Sequence, residues 1–383
     1  MPETVLQLPP LSLYIHIPWC IRKCPYCDFN SHAVKNGIPE NQYVSALIDD
    51  LKADQPWVQG RKIYSIFFGG GTPSLFSARA IASILNAAES HIGFEENIEI
   101  TLEANPGTVE QGNFQAFYSA GINRLSMGIQ SFNNAHLQTL GRIHGRAAAL
   151  TAIESATSAG FDNFNIDLMH GLPRQTASEA ESDLTTAIAL GAPHISWYQL
   201  TIEPNTAFYS KPPELPEDDL LADIQSAGQS LLQSHHLQQY EVSAFALTGR
   251  QSQHNLNYWQ FGDYLGIGAG AHGKITLPEK NQILRTKKTR QPEHYLARKQ
   301  SKLISAQPIE WSERPLEFMM NGLRLKQGIP INYLTPRTGL NPQSLTTPID
   351  ALISQGLIEK TDDTYRTSAL GFRFLNSVLQ AFT

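Results

Sequence analysis

At 383 residues the chain is long enough for one barrel-sized domain and a smaller one, and 41% hydrophobic with 17% charged residues is an ordinary globular balance. A formal charge of −6 argues against a generic phosphate-backbone binder, which needs a net basic surface, so nucleic acid is not an expected partner. No apolar run approaches the roughly 20 residues that span a bilayer, and residues 1–10 carry neither a basic n-region nor an apolar h-region, which makes the cytoplasm the expected compartment.

Along the chain, short β-branched or aromatic runs alternate with helix-like stretches. Strands are predicted over 11–17, 65–68, 99–103, 124–129, 163–168 and 195–200, and helices over 40–54, 78–91, 109–120, 146–159, 177–190 and 217–233. Gly121, Gly160 and Gly191 each stand where a helix must stop before the next strand. Six consecutive strand–helix units predict an α/β fold with a parallel sheet, too short for a closed eight-stranded barrel and so an incomplete (β/α)6 barrel. Three domains are expected: the partial barrel over 1–235, an extension over 236–290, and a mainly helical C-terminal domain over 291–383. A basic stretch from Lys280 to Lys302, with Arg285, Lys287, Lys288, Arg290, Arg298 and Lys299, reads as a solvated linker face. Beyond it, helical patterns over 314–322 and 343–355 precede a polar turn, Thr361-Asp362-Asp363-Thr364, and a last helix, the order of a winged helix. No dense basic recognition helix accompanies it, so covering the open side of the barrel or docking an acceptor suits it better than DNA binding.

All three cysteines, Cys20, Cys24 and Cys27, fall within eight positions just after the first strand. Three thiolates can hold three irons of a cubane 4Fe-4S cluster and leave the fourth iron open to a small molecule. Zinc needs a fourth ligand, from His16, Asp28 or His32, and a disulfide leaves one thiol over and implies an oxidising compartment. Polar or glycine-rich residues mark the carboxyl ends of all six strands: the cysteine loop, Gly69-Gly70-Gly71-Thr72-Pro73, Glu103, Gln130, Asp167, and Tyr198 with Gln199. In barrel enzymes the chemistry collects at that end, so one binding site is expected there. Glycines let a backbone approach a ligand closely, and Glu103 can accept hydrogen bonds from hydroxyls or an ammonium. Arg142 offers a bidentate fork to a carboxylate. Tyr14, inside the first strand, reads equally as a cofactor neighbour or a core aromatic.

The run Trp19-Cys20-Ile21-Arg22-Lys23-Cys24-Pro25-Tyr26-Cys27 resembles the cluster loop of the radical S-adenosylmethionine superfamily. Leu13-Tyr14-Ile15-His16-Ile17-Pro18-Trp19-Cys20, Phe68-Gly69-Gly70-Gly71-Thr72-Pro73, Ser126-Met127-Gly128-Ile129-Gln130-Ser131-Phe132 and Asn165-Ile166-Asp167-Leu168-Met169-His170-Gly171-Leu172-Pro173 are similar to the oxygen-independent coproporphyrinogen III dehydrogenase family. The resemblance implies S-adenosylmethionine bound at the open iron, with Tyr14, Gly70, Gly71, Thr72, Glu103, Gln130, Arg142 and Asp167 as its binding residues. Two departures narrow it. Phe29 stands where the dehydrogenase has a fourth cysteine, and the first strand begins near residue 11, without the dehydrogenase's preceding segment. His254-Asn255-Leu256-Asn257-Tyr258-Trp259 then resembles the HNxxYW motif of the family's heme chaperone branch, followed by the glycine-rich run over 265–273.

That branch implies a protein that binds heme, a 4Fe-4S cluster and S-adenosylmethionine and passes heme to an acceptor protein; the alternative is radical decarboxylation of coproporphyrinogen propionates. His254 is the expected heme ligand, with Tyr258 and Trp259 against the porphyrin, set against a histidine satisfied within its own loop. His16 and His272 compete, while Met127, Met169, Met319 and Met320 read as core packing. An electron donor for the cluster and transient contact with membrane hemoproteins complete the expected partners.

Overall fold

The structure, a computed structural model, describes residues 6–35, 37–107 and 113–383. Six parallel strands form its frame: β1 (Leu11–Ile17), β2 (Ile63–Gly70), β3 (Phe94–Ala104), β4 (Arg124–Gln130), β5 (Phe164–His170) and β6 (His194–Gln199). They lie side by side in chain order. Both faces are covered, so the strands read as nearly unbroken buried runs such as LSLYIHI rather than as alternation. The helices between them fall where the periodicity put them, as Glu40–Asp54, Ala78–His91, Arg146–Ser158, Ala177–Ala189 and Asp218–Ser234. Side chains set their starts: Ser77 accepts from the Ala80 amide, and Thr176 with Glu179 makes a reciprocal capping box. Of the helix expected over 109–120, residues 109–112 lie outside the described residues; the remainder is Phe114–Ser119.

The sheet continues past both ends of this frame, to twelve strands. Beyond β6 come β8 (Ala244–Ala246) and then β7 (Gln238–Glu241), both antiparallel to their neighbours. On the other flank β9 (Asp263–Ile267) runs parallel to β1, followed by antiparallel β10 (His272–Leu277), β11 (Gln282–Lys288) and β12 (Leu303–Pro308). Part of the glycine-rich run is therefore strand: a Cβ on Gly266 falls 1.8 Å from the His272 carbonyl oxygen, so the tight β9–β10 turn requires glycine.

The basic stretch is not a solvated linker. It forms β11, the helix Pro292–Ala297 and the approach to β12, and Lys288 and Lys302 are buried. Lys288 is held by Asp50 at 2.6 Å and by both oxygens of Asp54 at 2.8 and 2.7 Å, all on the first helix. Burial lifts the Asp54 carboxyl to about 6, with Lys288 opposing. The boundary expected at 290/291 accordingly falls inside the sheet. A second core starts at Ile309 and gathers Phe318, Leu334, Ile349, Tyr365 and Phe382, together with Leu6, Phe261 and Ile283 from the barrel side.

This C-terminal unit has the expected helix–helix–hairpin–helix order. The helices Arg314–Gly322 and Thr346–Ser354 precede a hairpin of Ile358–Lys360 and Thr364–Thr367, which Ile329–Pro330 extends to three strands. It docks on the free edge of β7: Lys326 N donates to Tyr240 O at 2.9 Å, Glu241 bridges Leu325, and Arg324 pairs with Glu241 at 3.1 Å. The two edges of the six-strand frame are themselves paired by β9 and β8, so the C-terminal unit meets the outer strand β7 and not the frame.

Candidate functional site: a cysteine-lined pocket above a barrel chamber

The carboxyl ends of the six strands converge on one pocket. Cys20, Cys24 and Cys27 line it with Gly70, Gly71, Thr72, Glu103, Gln130, Arg142 and Asp167, so ten of the expected site residues share a wall. The glycine run is stitched to the cysteine loop, with Gly71 N donating to Ile17 O at 2.8 Å and Thr72 N to Trp19 O at 2.7 Å. Glycine is required sterically: a Cβ on Gly71 falls 2.5 Å from the Trp19 carbonyl oxygen, and Gly70, at φ +116°, would press on the His16 ring. His16 itself is a positioning residue, its ring nitrogens partnered by Tyr14 Oη at 3.0 Å and Asn30 O at 3.0 Å. That links β1 to the chain leaving Cys27.

All three cysteines are free and partly exposed to the pocket. Hydrogen-bond donors face the sulfurs: Arg142 Nη1 lies 3.5 Å from Cys24 Sγ, and Ser31 Oγ lies 3.7 Å from Cys27 Sγ. Burial pushes the Cys20 thiol up, with the Thr72 hydroxyl opposing. Among the described residues no group of three His, Cys, Asp or Glu is arranged around a single ion. Three thiols on one wall with donors at their sulfurs fit a cubane cluster, whose irons are spread over the ligands.

Arg142 is locked in place. Its Nη2 donates to the Asn105 side-chain oxygen and to Gly128 O at 2.6 Å, and Asn105 in turn donates to Thr72 Oγ1 at 2.8 Å. Asn105 was not singled out from the sequence. The available signal was its place between the strand-end Glu103 and Pro106, since a residue before proline is held extended. Gln130 sits at φ +71° on a bulge of β4, and its side-chain oxygen accepts from the Tyr198 hydroxyl at 2.8 Å. Glu103 accepts from Gly70 N at 3.2 Å; burial, then the charge of Asp167, raise it to about 8, with that amide opposing. Asp167 is also raised by burial, against hydrogen bonds from Asn165 at 2.7 Å and Ser126 at 3.3 Å.

Below Glu103 and Asp167 the barrel interior holds a chamber of about 280 Å³. Tyr14 lines this chamber, one layer beneath the other expected cofactor residues. His254 also lines it, on the helix Gln253–Trp259, whose first amides are held by Glu99 of β3. The His254 ring is 1% exposed, with Nδ1 3.0 Å from Ser65 Oγ and Nε2 2.8 Å from Tyr258 Oη. Burial, aided by the Arg124 charge, lowers it to about 3, so the ring is neutral at pH 7. His272 is exposed at the start of β10. Met127, Met169 and Met319 are buried in hydrophobic clusters, and Met320 is exposed. Phe29, at 63% exposed, stands on the rim of the cysteine pocket.

Comparison with known proteins agrees with this geometry. Residues 14–187 match the radical SAM superfamily and residues 312–374 the HemN C-terminal domain. Heme chaperone HemW of Haemophilus influenzae is 53% identical over 380 residues, 98% of each chain. Heme chaperone HemW of Escherichia coli is 50% identical over 378 residues, 99% of each chain. Among solved structures, coproporphyrinogen III oxidase (HemN) of Escherichia coli superposes with a TM-score of 0.82 at 21% identity, over 98% of this chain and 90% of that one, a likeness of fold. With half of its residues shared along its whole length with proteins of that name, and with the radical SAM pocket built as described, this chain belongs to the HemW family of the radical SAM superfamily.

Proposed function

We propose that this chain is a heme chaperone of the cytoplasm that carries a 4Fe-4S cluster, binds S-adenosylmethionine and hands heme to an acceptor protein. The observation that carries the reading is the full-length similarity to proteins named heme chaperone, at 53% and 50% identity. Cys20, Cys24 and Cys27 are the cluster ligands in this reading. Tyr14, Gly70, Gly71, Thr72, Glu103, Gln130, Arg142 and Asp167 form the S-adenosylmethionine site, and all but Tyr14 share the cysteine-lined pocket. A cluster held by these three thiolates would supply a one-electron reductant beside the sulfonium of the cofactor. The protein's own work is positional: Arg142, fixed by Asn105 and Gly128, presents its fork to a carboxylate beside Cys24, and the glycine run brings backbone against the ligand. Phe29 on the rim gives no fourth thiolate.

His254 is the ligand we assign to the heme iron. A buried imidazole that stays neutral at pH 7 keeps a lone pair for a metal, and coordination through Nε2 requires Tyr258 to release its hydrogen bond. The protein partners are the heme acceptor, in solution or at a membrane surface, and an electron donor to the cluster. No helix among the described residues is long and apolar enough to cross a membrane.

Heme titration of the anaerobically reconstituted protein tests the reading. A saturable Soret shift that is lost in His254→Ala, followed by transfer to an apo-hemoprotein, is the expected result. Turnover of coproporphyrinogen without a stable heme complex overturns it in favour of decarboxylation.

A further inference from the structure

The chamber beneath the cofactor pocket contains a guanidinium whose hydrogen-bonding capacity nothing in the preceding reading uses. Arg124, the first residue of β4, is 2% exposed and lines the chamber with Tyr14, His194, Asn255 and His254. Among the described residues its guanidinium makes no hydrogen bond, and its Nε is a buried donor without a partner. Its ion-pair neighbour is Glu99, 3.8 Å away and beyond hydrogen-bond reach. The Glu99 carboxylate is turned elsewhere, accepting from Gln253 N at 3.1 Å, His254 N at 3.1 Å and Ser252 Oγ at 3.4 Å, and so caps the helix that carries His254. A buried arginine fork with no protein acceptor on its donors, facing a cavity, is suited to an anion that brings two acceptor oxygens.

We propose that the chamber is a second ligand site, in which Arg124 receives a carboxylate through a bidentate contact. Its volume, about 280 Å³, is at the lower edge of the roughly 300–1,000 Å³ of small-molecule sites. In this arrangement it takes a carboxylate on a short chain, not a whole macrocycle. Two sources share that chemistry: a propionate arm of a porphyrin, entering beside His254, or a free short carboxylic acid. The porphyrin arm rests on the heme reading above; the anion site does not.

Hemin, hemin dimethyl ester and succinate separate the outcomes, measured by Soret titration and calorimetry on the reconstituted wild-type protein and on Arg124→Gln. Hemin binding about tenfold or more tighter than its ester, with the gap closing in Arg124→Gln, establishes the propionate arm. Equal hemin and ester affinities with succinate binding that weakens about tenfold in Arg124→Gln establish the free acid. Absence of any heme complex alongside Arg124-dependent succinate binding removes the heme reading and keeps the site. A hemin–ester gap unchanged in Arg124→Gln, or no gap and no succinate binding, overturns the proposal. If Arg124→Gln fails to fold, Arg124→Lys decides, since it keeps the charge beside Glu99 and loses the fork; the proposal requires the same affinities to drop in it.

Discussion

Glu103→Gln measures how the pocket prepares for a cationic cofactor. With the carboxyl lifted to about 8 by burial and by Asp167, Glu103 is mostly protonated at pH 7 in the empty pocket. A group with pKa 8 is about nine-tenths protonated at pH 7 and about one-tenth protonated at pH 9. A sulfonium brought into the same pocket favours the carboxylate, so binding expels that proton. Two consequences follow by linkage. The cofactor's arrival at pH 7 releases about 0.9 proton more from wild type than from Glu103→Gln, because the cofactor amine and the cluster contribute alike to both and drop out of the difference. Affinity for S-adenosylmethionine rises about tenfold from pH 7 to 9 in wild type, with that component absent in the variant. Calorimetry of the reconstituted protein in buffers of different ionisation enthalpy counts the protons directly. Equal proton release from the two proteins, or parallel pH profiles, would mean that Glu103 stays protonated as a hydrogen-bond donor in the complex, and the reasoning fails.

Two further predictions test the scaffold. Lys288→Met leaves Asp50 and Asp54 buried without their cation and costs about 3–5 kcal/mol, read from the urea midpoint; a loss under 1 kcal/mol refutes the burial described. The sign of the accompanying pH effect is fixed by Asp54. Raised to about 6 from 3.8, it favours the folded state most at pH values below 3.8 and loses that contribution as pH climbs through 6, and removing Lys288 moves the loss to higher pH. Gly71→Ala forces a methyl to within 2.5 Å of the Trp19 carbonyl oxygen and displaces the cysteine loop, so the reconstituted variant holds less iron and sulfide per chain; full iron content with unaltered cofactor affinity contradicts it.

The frame was legible because a parallel sheet covered on both faces leaves a simple trace, apolar runs punctuated by glycine, and its site residues stand at one end of every strand. What escaped depended on partners far away in the chain. Lys288 looks like one more exposed lysine of a basic run until it meets Asp50, 238 positions earlier, and then it is strand. Gly266 sits in a run that reads as loop, yet its lack of a Cβ is what lets β9 and β10 close. Arg124 opens a strand, where charges commonly mark a solvent end; only the capping of the helix Gln253–Trp259 by Glu99 makes it a buried cation with free donors.

The same arrangement changes what His254 means. The HNxxYW motif identifies the residue, but Ser65 of β2 and Tyr258, one helical turn on, decide its state, since each holds one of its ring nitrogens. As it stands, the ring is a strut between the barrel wall and its own helix, and the ligation through Nε2 proposed above requires Tyr258 to let go of it. Glu99 holds the start of that helix and stands beside Arg124, so an anion bound at Arg124 as proposed would change the field at the carboxylate that anchors the helix. In the readings proposed above, the anion at Arg124 and the ligand His254 therefore meet at one side chain, Glu99, which stands 3.8 Å from the Arg124 Nε and accepts the His254 amide while touching neither ligand.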